Sequence, residues 1–224
     1  MELIYWPRLV PEQSDRDQGA GPDHPMRGVV EQVATNEDGW NHERATKVRT
    51  LFDEMAPEWK LRSGTARTEA LVEALRRLAP NGSRCLEIGC GTGFVLGYLD
   101  EIFETTIGID LSFEMLANSN CPDVPTLQAD AAILPFASAT FDLVVIVNSL
   151  LFPNELKRVL VPDGALIWVS TNGDRTPIYL SPERVHQALG DDYYGVSASC
   201  GDGIWSCFSR KKFWAGSDQI GSRG

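Results

Sequence analysis

From Gly82 onward, short apolar runs alternate with helix-length amphipathic stretches. The runs cover residues 84–88, 106–109, 126–129, 141–147 and 165–170, each of strand length. Strand followed by helix, several times over, implies right-handed crossovers and a parallel sheet covered on both faces. Near the end the rhythm changes. Residues 193–199 and 204–209 are separated only by Cys200-Gly201-Asp202-Gly203, too short for a parallel crossover, which predicts an antiparallel hairpin. The expected fold class is α/β, a doubly wound and mostly parallel sheet.

Two helices are expected before this region. Asn41 can cap the first, with Ala45, Val48, Leu51, Phe52 and Met55 on one stripe and Pro57 as its end. The second has Thr65 as cap and Ala70, Leu71, Ala74, Leu75 and Leu78 as its buried stripe, stopped by Pro80-Asn81-Gly82. Residues 11–28, with Gly19, Gly21, Pro22 and Pro25, read as loop or tail. Leu3, Ile4, Tyr5, Trp6, Leu9 and Val10 are too apolar for a free end and are expected to dock. The division that results is an N-terminal extension over 1–64, loop first and then a helical lid; a ligand-binding domain over 65–212; and a tail over 213–224. Neither an internal repeat nor a low-complexity run is present.

Charge narrows the partners. Across 224 residues, 20 Lys and Arg against 31 Asp and Glu leave a net charge of −11, which works against attraction to nucleic acid or anionic lipid. With 43% hydrophobic and 23% charged residues the chain has the composition of a globular protein. No window is apolar for the 18 or so residues of a membrane span. The first ten residues, with Glu2 and Arg8, lack the basic-then-apolar order of an export signal, so the cytoplasm is expected. Five cysteines without a Cys-x-x-Cys pair support neither zinc nor a disulfide framework and are expected to be small buried residues.

The chemistry concentrates in Cys85-Leu-Glu-Ile-Gly-Cys-Gly-Thr-Gly-Phe94. A buried strand ends in Glu87, and glycines at 89, 91 and 93 precede a helical pattern that starts at Phe94. Residues without side chains let the backbone turn tightly and approach a ligand. A dinucleotide fingerprint needs Gly-x-Gly-x-x-Gly, but here the third glycine comes one position early. Glu87 also suits an ammonium or hydroxyl group better than two phosphates. The next strand ends in Ile107-Gly-Ile-Asp110, 21 residues after Gly89, where a carboxylate can accept from both hydroxyls of a ribose. A ribose-containing ligand without phosphates is the expectation.

These motifs resemble those of the class I S-adenosylmethionine-dependent methyltransferases. Five of them fall in register across about residues 45–212: Glu-Ile-Gly-Cys-Gly-Thr-Gly, Gly-Ile-Asp-Leu-Ser, Gln-Ala-Asp-Ala-Ala-Ile-Leu-Pro-Phe, Phe-Asp-Leu-Val-Val and Leu-Lys-Arg-Val-Leu-Val-Pro-Asp-Gly. The resemblance implies a seven-stranded Rossmann-like sheet, five parallel strands followed by the hairpin. It implies S-adenosylmethionine as cofactor and S-adenosylhomocysteine as product. Glu87, Gly89 and Gly91 would line the methionine part, with Cys90 and Gly93 of the same turn among the cofactor contacts. Asp110 would hold the ribose and Leu111 the adenine face, while Asp130 and Ala131 would meet the adenine edge. Asn148 would sit near the methyl group, Trp59 over the cofactor, and Arg62 against its carboxylate.

The expected activity is methyl transfer to an oxygen or nitrogen of a small molecule, an in-line displacement in which positioning supplies most of the acceleration. A catalytic base is optional; of His24, His42 and His186, His42 is the weak candidate. Asn148-Ser-Leu-Leu-Phe-Pro153 departs from the Asn or Asp-Pro-Pro-aromatic motif tied to methylation of bases and glutamine, which further disfavours nucleic acid. The alternatives are a non-catalytic cofactor-binding module with a protein partner, and a protein methyltransferase. The acceptor and the oligomeric state cannot be read from the residues.

Overall fold

The computed structural model describes residues 2–12, 21, 23–35, 37–59, 66–80 and 82–212. Arg62, Thr65, the 213–224 tail and residues 13–20 and 22 of the expected 11–28 loop lie outside the described residues.

The strands, in chain order, are β1 (Leu3–Tyr5), β2 (Arg84–Ile88), β3 (Thr105–Asp110), β4 (Thr126–Gln128), β5 (Phe141–Val147), β6 (Leu160–Ser170), β7 (Tyr194–Cys200) and β8 (Gly203–Ser209). The helices are α1 (Met26–Thr35), α2 (His42–Trp59), α3 (Ala66–Leu78), α4 (Leu96–Asp100), α5 (Phe113–Ala117), α6 (Pro153–Val159) and α7 (Pro182–Leu189). One sheet runs β1-β7-β8-β6-β5-β2-β3-β4, and only β8 is antiparallel to its neighbours. The doubly wound fold and the hairpin are as expected. The seven expected strands are present, and β1 adds an eighth, parallel to β7 at the edge.

Helices on both faces explain why β5 reads as an uninterrupted apolar run. Val144 and Ile146 enter one core with Leu86, Ile88, Leu166 and Trp168; Leu143 and Val145 enter the other with Leu71, Leu75, Val95 and Ile167. On the first face lies α1, a helix absent from the sequence reading. Met26, Val30, Val33 and Ala34 are its buried positions, and the signal lay in their spacing. Its start is tied by His24, whose Nδ1 accepts from the Met26 amide at 3.2 Å.

Two other boundaries differ from expectation. Asn41 caps α2 through Oδ1, which accepts from the Arg44 amide at 2.9 Å, but α2 continues past Pro57 to Trp59. Proline forfeits one hydrogen bond, and in the last turn that loss does not stop the two residues beyond it. The helix after the glycine turn begins at Leu96 instead of Phe94, because residues 91–95 are consumed by turns.

The edge strand is held by a stacked cation. Arg77 lies 4.6 Å over the ring of Trp6 and 5.5 Å from that of Trp205, pairs with Glu73 at 2.9 Å, and donates to the Pro7 carbonyl at 3.1 Å. Trp6 meets Trp205 edge-on at 5.8 Å. Trp6→Ala is therefore expected to cost about 1–3 kcal/mol in urea unfolding, less than a fully buried Trp because Trp6 is half-buried. Hydrogen exchange at the Trp6 amide, which bonds Ser197 O at 2.8 Å, should accelerate with it. A change under about 0.5 kcal/mol would show that β1 docks through its backbone alone.

Candidate active site

In the sheet order β2 stands between β3 and β5, so the chain leaves β2 toward one side and later returns to the other. The carboxyl ends of strands around such a reversal leave a crevice. Here the crevice is a cleft with about 1050 Å³ of empty space, solvent at its mouth included. Its floor comes from the segments after β2 (Glu87–Gly91), β3 (Asp110, Leu111), β4 (Ala129–Ala131) and β5 (Asn148, Ser149). Its roof comes from the N-terminal extension. Met26 of α1, Trp40, and Val48, Phe52 and Trp59 of α2 all face inward. Val48 and Phe52 of the α2 stripe thus line the cleft at the margin of the core, and Ala56 is the one buried residue of α2 among those described. Leu51, placed on that stripe by its spacing, is exposed.

Glu87 lies at the back of the cleft, 2% exposed. Its Oε2 is buried and meets no hydrogen-bond donor among the described residues. Burial, and secondarily the charge of Asp110, pushes its carboxyl well above the usual carboxylate range. A buried carboxylate oxygen without a donor is costly, and a ligand ammonium or hydroxyl would supply one.

The glycine turn beside it has little left for phosphate. The amides of Gly89 and Cys90 both donate to Ile109 O, at 2.8 and 2.9 Å, and that of Gly91 donates to Asp110 Oδ2 at 2.8 Å. Three consecutive N–H groups that elsewhere form an anion nest are thus spent on β3 and its terminal carboxylate. Gly89, at φ +73°, is required by a close approach: a Cβ there would stand 2.1 Å from Ser149 Oγ. Cys90 lines the cleft while its thiol turns back against Gly108, where an added Cβ would be 2.9 Å from Sγ; burial pushes that thiol well up.

Asp110 accepts from Gly91 on Oδ2 and from the Ser112 amide on Oδ1, both at 2.8 Å. A carboxylate has about four acceptor positions, so two remain for a pair of hydroxyls. Burial raises its pKa, and the hydrogen bonds from Ser112 and Gly91 oppose that rise. Asp130 is engaged from above, because Trp40 Nε1 donates to both of its oxygens, at 3.1 and 2.9 Å. Asn148 holds a left-handed backbone, φ 50°, with its Nδ2 donating to Thr171 Oγ1 at 2.7 Å and its Oδ1 accepting from the Thr171 amide at 2.9 Å. It borders the cleft with its amide spent on joining the ends of β5 and β6.

The structure therefore brings Trp59, Glu87, Gly89, Cys90, Gly91, Asp110, Leu111, Asp130, Ala131 and Asn148 to one cleft. It does not bring Gly93 there; Gly93 lies behind the turn, where a Cβ would be 3.2 Å from Leu96 Cδ1 and Ser119 Oγ. His42 is exposed at the first turn of α2, away from the lining, His24 caps α1, and His186 is buried with Nε2 2.6 Å from Tyr193 O. Trp40, Phe52 and Met26 escaped the sequence reading. A lone Trp after a turn carries no periodicity, and the Phe52 stripe reads the same whether it faces a core or a cleft.

Residues 86–168 match a family profile described as a methyltransferase domain. Together with the fold and the cleft, this match supports a class I S-adenosylmethionine-dependent methyltransferase domain over those residues. A structure described as a SAM-dependent methyltransferase from Aquifex aeolicus superposes with a TM-score of 0.53 at 18% identity, covering 76% of this chain and 98% of that one, a likeness of fold. Among curated proteins, the mitochondrial arginine-hydroxylase NDUFAF5 of Mus musculus is 40% identical over 103 residues, 40% of this chain and 29% of the relative. A fatty-acid O-methyltransferase of Mycolicibacterium smegmatis is 34% identical over 123 residues, 49% of this chain and 43% of the relative. The matched stretches thus span less than half of these relatives. Among the described residues no helix is long and apolar enough to cross a membrane.

Proposed function

We propose that the protein transfers the methyl group of S-adenosylmethionine to an oxygen or nitrogen of a small, largely apolar molecule, with the N-terminal extension as a lid over both. The observation that carries this reading is the buried Glu87 carboxylate, with Oε2 lacking a donor, at the back of a cleft that also holds Asp110. Glu87 would take the ammonium of the methionine part, Asp110 the ribose hydroxyls, and Leu111, Asp130 and Ala131 the adenine. Bound there, the cofactor supplies a methyl group on a positively charged sulfur. Trp59 and Phe52, with rings edge-on at 5.9 Å, present aromatic surface that shelters a cation and excludes water.

Acceptor chemistry follows from the apolar lining of the cleft. Met26, Val48, Phe52, Leu150, Phe152 and Ile178 offer an apolar surface, which suits a hydrophobic acceptor better than a polymer carrying many charges. No histidine lines the cleft, so an acceptor that is already nucleophilic, such as a carboxylate, an acidic phenol or an amine, fits best. The net charge of −11 agrees with an acceptor other than nucleic acid. All five cysteines are free, in keeping with a reducing compartment such as the cytoplasm. The names of the relatives cover a hydroxylase as well as a methyltransferase, so likeness over this domain does not assign the acceptor.

The test is calorimetric titration with S-adenosylmethionine and S-adenosylhomocysteine. It is followed by transfer of a labelled methyl group to panels of apolar carboxylic acids, phenols and amines, with protein extracts in parallel. Binding plus labelling of a small acid, phenol or amine is expected. Silence of the wild type at millimolar cofactor overturns the reading, and labelling confined to proteins replaces the small acceptor with a macromolecular one.

A further inference from the structure

Trp40 stands where the N-terminal extension meets the cleft, between a short 3-10 turn at Glu37–Gly39 and the start of α2. Its ring packs edge-on against Phe152, with centroids 5.3 Å apart. Its indole N–H points at Asp130, bonding both carboxylate oxygens, while the Ala132 amide donates to Oδ1 at 2.9 Å. The position is set from behind. Gly39 touches the backbone of α1 so closely that a Cβ would lie 2.5 Å from Gln32 O, and Arg44 donates to the Gly39 carbonyl. Thirteen residues on, Asp53 of α2 accepts from Ser112 Oγ at 2.5 Å and from the Glu114 amide at 3.3 Å. Ser112 caps α5 and also donates its amide to Asp110. Over the cleft the extension thus meets Asp130 at one point and the neighbourhood of Asp110 at another, the two carboxylates that the proposed function assigns to the ends of the nucleoside.

We propose that Trp40 is a positioning residue that sets the Asp130 carboxylate to accept from the exocyclic amine of a 6-aminopurine, and so links closure of the extension to adenine recognition. The proposal rests on the cofactor reading above. The chemistry follows from donor and acceptor counts. The indole N–H, shared by both oxygens, and the Ala132 amide on Oδ1 occupy three of about four acceptor positions and leave one, on Oδ2. An amino group satisfies it; the oxygen of a 6-oxopurine would set acceptor against acceptor. Trp40→Phe keeps an aromatic ring against Phe152 but leaves Asp130 held, among the described residues, by the Ala132 amide alone, so discrimination between the two bases should fall more than affinity for a shared ribose and methionine part.

The experiment compares S-adenosylhomocysteine with S-inosylhomocysteine, its 6-oxo counterpart, on wild type and Trp40→Phe by calorimetry, with thermal unfolding alongside. Wild type should prefer the adenosyl ligand by about 10-fold or more, the size of one hydrogen bond to a charged group, and the preference should shrink several-fold in Trp40→Phe. Should Trp40→Phe fail to fold, the benzothiophene isostere of tryptophan at position 40, which loses only the N–H, takes its place. An unchanged ratio, or an equal loss for both ligands, overturns the proposal while leaving the cofactor reading intact. Failure of the wild type to bind either ligand overturns both.

Discussion

Asp110→Ala is expected to weaken S-adenosylhomocysteine binding by about a hundredfold or more. The carboxylate has two acceptor positions beyond those taken by Gly91 and Ser112. Two hydrogen bonds from ribose hydroxyls to a charged acceptor are together worth about 3–6 kcal/mol, and every 1.4 kcal/mol or so is tenfold. The substitution also removes what holds the Gly91 amide, so part of the loss would come from a loosened glycine turn. Asp110→Asn separates the two effects. It keeps an acceptor oxygen for one backbone amide and sets its NH2 against the other, so the unfolding transition should recover only in part while binding stays impaired. Calorimetry and thermal unfolding on both variants make the check, and alanine-variant affinity within threefold of wild type would remove Asp110 from the ribose site.

Glu87→Gln is expected to weaken binding by about 10–100-fold, the worth of a hydrogen bond to a charged group, and to flatten the dependence of stability on pH. In the folded protein the Glu87 carboxyl is raised well above its ordinary value of 4.5 by burial and by Asp110. A group raised in this way binds its proton more tightly folded than unfolded. Its contribution to stability is complete below the ordinary value and drains away as pH climbs from there through the raised one. Wild-type stability should therefore decline over that window, and Glu87→Gln, which does not titrate, should lack this component. The slope is the diagnostic, because a buried glutamine amide has its own pH-independent cost. A cationic ligand reverses the balance, since an ammonium against Glu87 favours the ionised form. Binding should release a proton from wild type and not from Glu87→Gln, a difference that calorimetry in buffers of contrasting ionisation enthalpy measures. Parallel pH profiles for the two proteins would show that Glu87 is ionised already in the free protein.

The two carboxylates explain why so much of the site was legible in the sequence. Glu87 and Asp110 each end a buried strand, and a charged residue at the end of an apolar run stands out from the run itself. The glycines next to Glu87 mark a turn that side chains would block, as the contact of Gly89 with Ser149 bears out. Gly93 shows the limit of that logic: it has the same positive φ and lies in the same turn, but it serves packing against Leu96 and Ser119. The histidines show another. Position at the entrance to a capping helix suggested His42 as a weak candidate, and the fold leaves it at the solvent end of that helix, whose other end faces the cleft.

The order of apolar and polar positions determined by itself that this chain forms a doubly wound sheet with a closing hairpin, because strand and helix periods and the lengths between them are local properties. It also marked the glycine turn and the two carboxylates beside it. The tertiary structure alone decided that the first strand joins the sheet beyond the hairpin, that α1 exists as a wall of the core, that the stripe of α2 faces a cleft, and that Trp40 reaches Asp130. Each of these joins residues distant in the chain, and spacing along one segment carries no information about which remote surface it will meet.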